Sequence, residues 1–403
     1  MNVSQFDYDL PPELIAQTPI EPRHASRLMV VNRNTGQITH HTFLHIVDLL
    51  YPGDILVANN TRVIPARLLG HKQSGGKVEI LLLKQIDALH WEVLVGGKRL
   101  RPDVVVEITA EEQGSRGAGK QSIAWSGLTE KAEERFTDSQ FAIRNSHLPI
   151  SNLQSPITLT IKEDLGEARR LVEFNQPINP LLDELGQMPL PPYIHASLED
   201  AERYQTIFSR IDGSAAAPTA GLHFTSEILL TLREKGILLD YVTLHIGLDT
   251  FKPVTAKQVE QHVIHREFAQ LSLETARRIN QAKLAGGQLV AVGTTAVRTL
   301  ETAALRSAGV TGSLNPPPTG REEKGGCPWQ PVTAIEEETD LFIYPGFTFR
   351  AVDVMLTNFH LPKSTLLMLV STFAGTELIR QAYQEAIAQK YRFYSFGDAM
   401  LIL

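Results

Sequence analysis

From residue 188 onward, short apolar runs alternate with amphipathic stretches, and this alternation limits the possible folds more than any other feature of the sequence. "ILLDYVTLHI", "QLVAVG" and "AVDVMLTNF" read as strands. "TSEILLTLREKG" reads as a helix, with Thr225 or Ser226 as N-cap, Ile228, Leu229 and Leu232 on one face, and Gly236 as the stop. "SLETARRINQAKLAGG" and "TTAVRTLETAALRSAG" follow the same pattern. Strand–helix alternation predicts an α/β main domain with a layered sheet.

From Arg67 to Gln187 the texture differs. "KVEILLL", "HWEVLVGG", "VVVEI" and "ITLTI" are β-prone runs separated by Gly-rich and charged breaks, which predicts a small all-β module, barrel or sandwich. "LVANN" ahead of it again reads as a strand of the α/β sheet, so the β module is an insertion. The expected division is 1–66 plus 188–403 as a discontinuous catalytic domain and 67–187 as the inserted barrel. Segment 315–331, dominated by Pro and Gly, predicts a mobile loop, and its Cys327 is not expected to be catalytic.

That single cysteine excludes an internal disulfide and a multi-cysteine zinc site. The amino terminus has no basic region followed by an apolar stretch, and no apolar run approaches the ~20 residues of a membrane span. A cytoplasmic protein is the expectation. The net charge of −7 does not advertise nucleic-acid binding, although an acidic total can hide a basic patch.

Ligands of α/β sheets bind beyond the carboxyl ends of the strands. Four polar clusters fall at such places: "NNTR" (59–62), "HIGLDTF" (245–251), "GTTAVR" (293–298) and "NFHLPKS" (358–364). In "GTTAVR", Gly293 permits a tight turn, Thr294 and Thr295 open a helix whose free N–H groups favour an anion, and Arg298 would add charge. The plainer reading is a capped helix with a surface arginine. Arg62, Arg67, His71 and Lys72, with Lys98, Arg99 and Arg101 of "GGKRLRP", suit phosphate contacts, or are simply solvated charge. His262 and His265, spaced i, i+3 with Glu267 nearby, would reach one metal on a helix, but a pair shaping a pocket is the preferred reading. The histidines of "GLHF" and "FHLP" sit between apolar neighbours, either as satisfied core residues or as the polar floor of one pocket. "AAPTAGLHFT" carries more than a helix start needs. No GxSxG elbow, Walker A loop, GxGxxG or HExxH is present, which weakens hydrolase, NTPase and dehydrogenase readings.

"FDYDLPPELIAQTPIEPR", "LVANNTRVIPARL", "MPLPPYI", "AAPTAGLHFT", "VTLHIGLDTFKPV", "AVGTTAVRTLE", "VDVMLTNFHLPKSTLLMLVSTFAG" and "KYRFYSFGDAM" together resemble the S-adenosylmethionine:tRNA ribosyltransferase-isomerases of queuosine biosynthesis. The resemblance covers nearly the whole chain. It implies an α/β domain with an inserted β-barrel. It also implies transfer and isomerisation of the ribosyl part of S-adenosylmethionine onto 7-aminomethyl-7-deazaguanine at the tRNA wobble position, giving epoxyqueuosine-tRNA, adenine and methionine. S-adenosylmethionine would be a co-substrate, with no metal and no prosthetic group; tRNA would be the partner, with no membrane, and the chain a monomer. Under this resemblance His223 and His360 are the acid–base candidates, with His245 behind them. Pro218, Thr219, Ala220, Gly221, Gly247, Thr250, Phe251, Gly293, Thr294, Thr295, Arg298 and Asn358 would bind S-adenosylmethionine. Gly221 would let backbone approach the ligand, and Thr294, Thr295 and Arg298 would hold its carboxylate or a tRNA phosphate. Asn60, Arg62, Arg67, Lys98, Arg99 and Arg101 would meet tRNA. Asp249 stands where the family often has glycine, and the 315–331 loop and the barrel connections at 111–122 and 136–180 are longer than usual. The competing classes are an S-adenosylmethionine-dependent RNA methyltransferase, which would need a glycine-rich loop after its first strand, and a non-catalytic RNA-binding protein, which would not need polar clusters at several strand ends.

Overall fold

The computed structural model describes residues 1–109, 156–166, 168–247, 254–317 and 329–403. The candidates Thr250 and Phe251, together with Asp249, Cys327 and most of the 315–331 loop, lie outside the described residues.

In chain order the strands are β1 (Arg27–Val31), β2 (Ile38–Thr42), β3 (Ile55–Asn59), β4 (Thr61–Val63), β5 (Arg67–Lys72), β6 (Lys77–Gln85), β7 (His90–Gly96), β8 (Val105–Thr109) and β9 (Thr158–Gly166). They continue with β10 (Arg169–Phe174), β11 (Gly186–Gln187), β12 (Ile211–Ser214), β13 (Leu238–Leu244), β14 (Glu267–Leu271), β15 (Leu289–Val292), β16 (Ile335–Thr339), β17 (Val354–Asn358) and β18 (Ala399–Ile402). The helices are α1 (Ile46–Leu49), α2 (Leu182–Leu185), α3 (Ser226–Glu234), α4 (Leu273–Leu284), α5 (Gly293–Ser307), α6 (Thr365–Ala374) and α7 (Thr376–Ala388).

A nine-stranded mixed sheet runs β16-β14-β13-β3-β15-β17-β18-β1-β2. Its centre, β13-β3-β15-β17, is parallel. Strands β3, β15 and β17 are buried along their whole length, as parallel strands covered on both faces must be. The pleat sends Ile55 and Val57 to one core and Leu56 and Ala58 to another, so the sheet separates two apolar layers. Helix α5 is buried from Gly293 through Leu305, and it carries Glu301 into the interior. The Glu301 carboxylate accepts the backbone N–H groups of Arg350, Ala351 and Val352 at 2.8, 3.0 and 2.9 Å. Burial raises its pKa while those three bonds oppose the rise.

The second sheet runs β11-β5-β6-β7-β10-β9-β8, and pairing of β5 with β8 closes six of its strands into an antiparallel barrel. At that seam Gly70 is required by space, because a Cβ there would lie 2.5 Å from the carbonyl oxygen of Glu107. Strand β11 pairs with β5, Gln187 opposite Arg67, so the chain enters and leaves the barrel side by side. A small parallel ribbon of β4 and β12 carries the chain from the sheet towards the segment before α3. The α/β sheet with an antiparallel barrel agrees with the expectation from the alternating pattern. The helical reading of His262 and His265 is corrected: residues 262–266 are irregular and β14 begins at Glu267. Only a single 3-10 turn, Val259–Gln261, precedes them.

Candidate functional site

Strand β15 ends at Val292, and Gly293 (φ +86°) turns the chain abruptly into α5. Val292 supplies no side-chain cap, so the first turn of α5 keeps N–H groups for a ligand. Beside it β17 ends at Asn358 and leads through Phe359–Lys363 into α6, whose cap Ser364 accepts the Leu367 N–H at 3.2 Å. A cleft of about 620 Å³ opens between these two strand ends. One wall is Ala217, Pro218, Thr219 and Ala220, another is Gly293, Thr294 and Thr295, and a third is Thr357, Asn358 and His360. Three of the polar strings read from the sequence thus converge on one space.

Behind this lining, Asn59 ties the elements together. Its side-chain N–H groups reach the Leu244 carbonyl at 2.9 Å and the Thr295 hydroxyl at 3.3 Å, and its oxygen accepts the Leu244 N–H at 3.1 Å. Asn358 donates to the Tyr394 carbonyl at 3.1 Å. His360 is held on three sides: its Nε2 meets the Thr357 hydroxyl at 2.7 Å, its N–H donates to the Tyr383 hydroxyl at 2.9 Å, and its carbonyl accepts from Tyr8.

Several expected site residues lie elsewhere. His223 is not on the cleft wall; its Nδ1 meets Ser26 Oγ at 2.7 Å and its ring stacks on Phe43. His245 stacks on Phe268, and only its neighbour Ile246 reaches the cleft. Gly221 faces away from the cleft: a Cβ there would lie 2.7 Å from the ring of Phe208 and 2.9 Å from Thr206 Cγ2, so its smallness serves packing. Arg298, expected to hold an anion, is buried against Glu267, with Nε donating to the Leu341 carbonyl at 3.1 Å. Its charge is already matched by a carboxylate. Glu267 also accepts the Gly247 N–H at 2.8 Å, which places Gly247 in this buried pair and not in the cleft lining.

Of the cationic candidates, Arg62 pairs with Glu202 and Arg67 with Glu79. Asn60 accepts from the Thr243 hydroxyl at 2.9 Å. Lys98, Arg99 and Arg101 are exposed in the β7–β8 connection, at the barrel end away from β4. The reading of the residues gave no role to Tyr193, Thr357, Ser364, Tyr394 or Ser395, all of which line the cleft. Tyr193 and Ser395 join across it, hydroxyl to hydroxyl, at 2.8 Å. Tyr193, Tyr394 and Ser395 sit within "MPLPPYI" and "KYRFYSFGDAM", where no local pattern marks a hydroxyl as functional. Among the described residues, no group of three or more His, Cys, Asp or Glu is placed to hold a metal.

Burial lowers the pKa of His223 and His360 to about 3 and that of His245 to about 4, the nearby Arg392 charge helping at His223. All three are neutral at pH 7. A histidine near 6.5 when unfolded takes up a proton in the unfolded chain first, so stability falls as pH drops through 6.5 and towards 3. His223 alone should remove roughly 1.4 kcal/mol per pH unit over that window, with the other two adding in the same direction. Calorimetric scans from pH 7 to pH 4.5 should show a steep fall in Tm that starts above the carboxylate range. A flat Tm between pH 6.5 and 5 would contradict the burial of these rings.

A mainly apolar cleft with threonine, asparagine and histidine side chains on its walls, at the carboxyl ends of parallel strands and between two helix starts, sits where α/β enzymes take a small-molecule substrate. A family model described as "Queuosine biosynthesis protein" matches residues 3–402, and the chain belongs to that family. It is 47% identical over 407 residues, covering all of both chains, to the S-adenosylmethionine:tRNA ribosyltransferase-isomerase of Symbiobacterium thermophilum. A protein of the same name from Heliobacterium modesticaldum is 45% identical over 409 residues, again at full coverage of both. A crystal structure of an S-adenosylmethionine tRNA ribosyltransferase from Thermotoga maritima is 34% identical, with 99% of this chain and 100% of that chain covered and a TM-score of 0.49.

Proposed function

We propose that this chain transfers the ribosyl moiety of S-adenosylmethionine to 7-aminomethyl-7-deazaguanine at the wobble position of tRNA and isomerises it, releasing adenine and methionine. The observation that carries the reading is the convergence of residues 217–220, 293–295 and 357–360 on one cleft, in a chain matched end to end by ribosyltransferase-isomerases. The open first turn of α5, at Thr294 and Thr295, receives the methionine carboxylate. Pro218, Thr219 and Ala220 form the wall against the nucleoside, and Asn358 holds its polar edge. His360 is the imidazole that meets the reacting ring. His223 and His245 shape the ground behind it.

Residues 67–187 act as an inserted domain, and Arg62, Arg67, Lys98, Arg99 and Arg101 contact the tRNA backbone. S-adenosylmethionine is the co-substrate; no metal or prosthetic group enters the reading. Among the described residues no helix is long and apolar enough to cross a membrane. The reading takes the chain as a monomer acting in the cytoplasm.

The direct test mixes the protein with labelled S-adenosylmethionine and precursor tRNA. Adenine and methionine should appear only when both substrates are present. Formation of S-adenosylhomocysteine would convert the reading to a methyltransferase, and tRNA binding without any product would convert it to an RNA-binding protein.

A further inference from the structure

Behind the cleft wall three buried polar side chains stand in a row, Ser26, His223 and Asn358. The segment Thr219–His223 packs against β17, which brings His223 to the end of that strand. Asn358 lines the cleft, whereas His223 and Ser26 do not. Ser26 Oγ meets His223 Nδ1 at 2.7 Å, and the Ser26 backbone is fixed because its carbonyl accepts the Phe43 N–H at 2.8 Å. The ring of Phe43 stacks on the imidazole with centroids 5.1 Å apart. The imidazole also interacts with the Asn358 side chain, in a contact looser than a full hydrogen bond. Among the described residues, neither His223 Nε2 nor Asn358 Oδ1 has another partner.

One fixed point, the Tyr394 carbonyl, sets the protons of this chain of groups. A carbonyl only accepts, so the Asn358 group that faces it at 3.1 Å is the amide nitrogen. Oδ1 is then the atom left for His223. A lone pair on Nε2 would repel it, so Nε2 carries the proton. Burial lowers the pKa of the imidazole to about 3, which leaves it neutral at pH 7 with a single proton to place. Nδ1 is therefore an acceptor, and the Ser26 hydroxyl donates to it. Asn358 keeps one further N–H once the Tyr394 carbonyl has taken the first.

We propose that Ser26 and His223 are positioning residues, which hold the Asn358 amide so that its remaining N–H is offered to a hydrogen-bond acceptor on the nucleoside of S-adenosylmethionine. The proposal rests on the ribosyl-transfer reading, which puts that nucleoside in the cleft. The acceptor is a neutral lone pair, on a ring nitrogen of the adenine or on a ribose hydroxyl. A flipped amide would present its oxygen to the Tyr394 carbonyl and its N–H groups to the Nε2 proton, so both neighbours enforce the donor orientation. His223 thus acts on the ligand through Asn358 and takes no proton from it.

The test measures binding of S-adenosylmethionine and its analogues to the full-length protein by calorimetry. An anticodon stem-loop whose wobble base lacks the aminomethyl nucleophile is present, so that no transfer occurs. The analogues each lack one acceptor: deaza bases replace a ring nitrogen by C–H, and deoxy sugars lose a hydroxyl. One analogue should bind wild type about tenfold more weakly than S-adenosylmethionine, and that preference should vanish in Asn358→Ala. A deaza base in that place identifies the ring nitrogen, and a deoxy sugar the ribose oxygen. His223→Phe keeps the stack on Phe43 but has no N–H, and should reduce the preference to about twofold. His223→Gln, whose amide can still donate to Asn358, should keep most of it. Ser26→Ala should weaken the preference and Ser26→Thr should restore it. A merely structural role would lower stability in these variants and leave the preference unmoved. Nitrogen-15 spectra of wild type at pH 7 should show His223 protonated at Nε2 alone. Where His223→Phe fails to fold, those spectra and the Ser26 variants carry the same test. Protonation of His223 at Nδ1, or the full wild-type preference in His223→Phe or Ser26→Ala, would overturn the proposal. So would a wild type indifferent to every analogue. A wild type that binds S-adenosylmethionine but fails any of these overturns only the positioning role, whereas one that does not bind it overturns the ribosyl-transfer reading.

Discussion

Replacing Arg298 by methionine should destabilise the protein by about 3–5 kcal/mol in equilibrium denaturant unfolding, the usual effect of leaving a buried charge without its partner. Arg298 and Glu267 have side chains only 8% and 7% exposed, so neither charge can turn to water when the other is removed. The double variant Arg298→Met/Glu267→Gln should recover most of the loss, because the glutamine oxygen can still accept the Gly247 N–H that Glu267 holds. This pair joins α5 to β14 and anchors the segment leaving β13, so the single variant should also raise KM for S-adenosylmethionine. A loss below 1 kcal/mol in the single variant, or a double variant worse than the single, would mean that the pair is not what fixes these elements.

The second large effect is expected at His360, where alanine should lower single-turnover ribosyl transfer by about 10²-fold, the lower end of acid–base contributions. The lower end applies because an imidazole with a pKa of about 3 is a weak base, whose best service is a directed hydrogen bond. His360→Gln should therefore keep much more activity than His360→Ala. The wild-type rate should show no inflection between pH 5.5 and 7.5 from this group, since its neutral form prevails throughout. His360→Ala at wild-type rate would remove His360 from the reaction, and an inflection near pH 6.5 lost in His360→Gln would show that it titrates in the working complex.

How far these sites could be read in advance depended on the kind of interaction. Strands β3, β15 and β17 were legible because burial on both faces demands uninterrupted apolar runs, and the barrel because its β-prone runs are separated by regular breaks. The polar strings after β15 and β17 were legible as well, since a loop that caps a helix must carry Gly, Thr or Ser. The direction of individual side chains was not. Arg298 lies one turn into α5, where a partner from β14 captures it, and Glu267 is distant in sequence. Gly221 was read as making way for a ligand, but its neighbours Phe208 and Thr206 are what require its smallness. His223 and His360 have similar apolar neighbours in sequence, yet only His360 opens to the cleft.

The pairing of β11 with β5 means that the barrel's entry and exit are hydrogen-bonded to each other. To the main sheet the whole insertion is a single hinge point, since the gap left by its removal is already bridged. The barrel can therefore grow or shrink by whole hairpins without any strand of the cleft changing register. Changes of length within the barrel then leave the strand ends of β15 and β17, and the cleft between them, where they are.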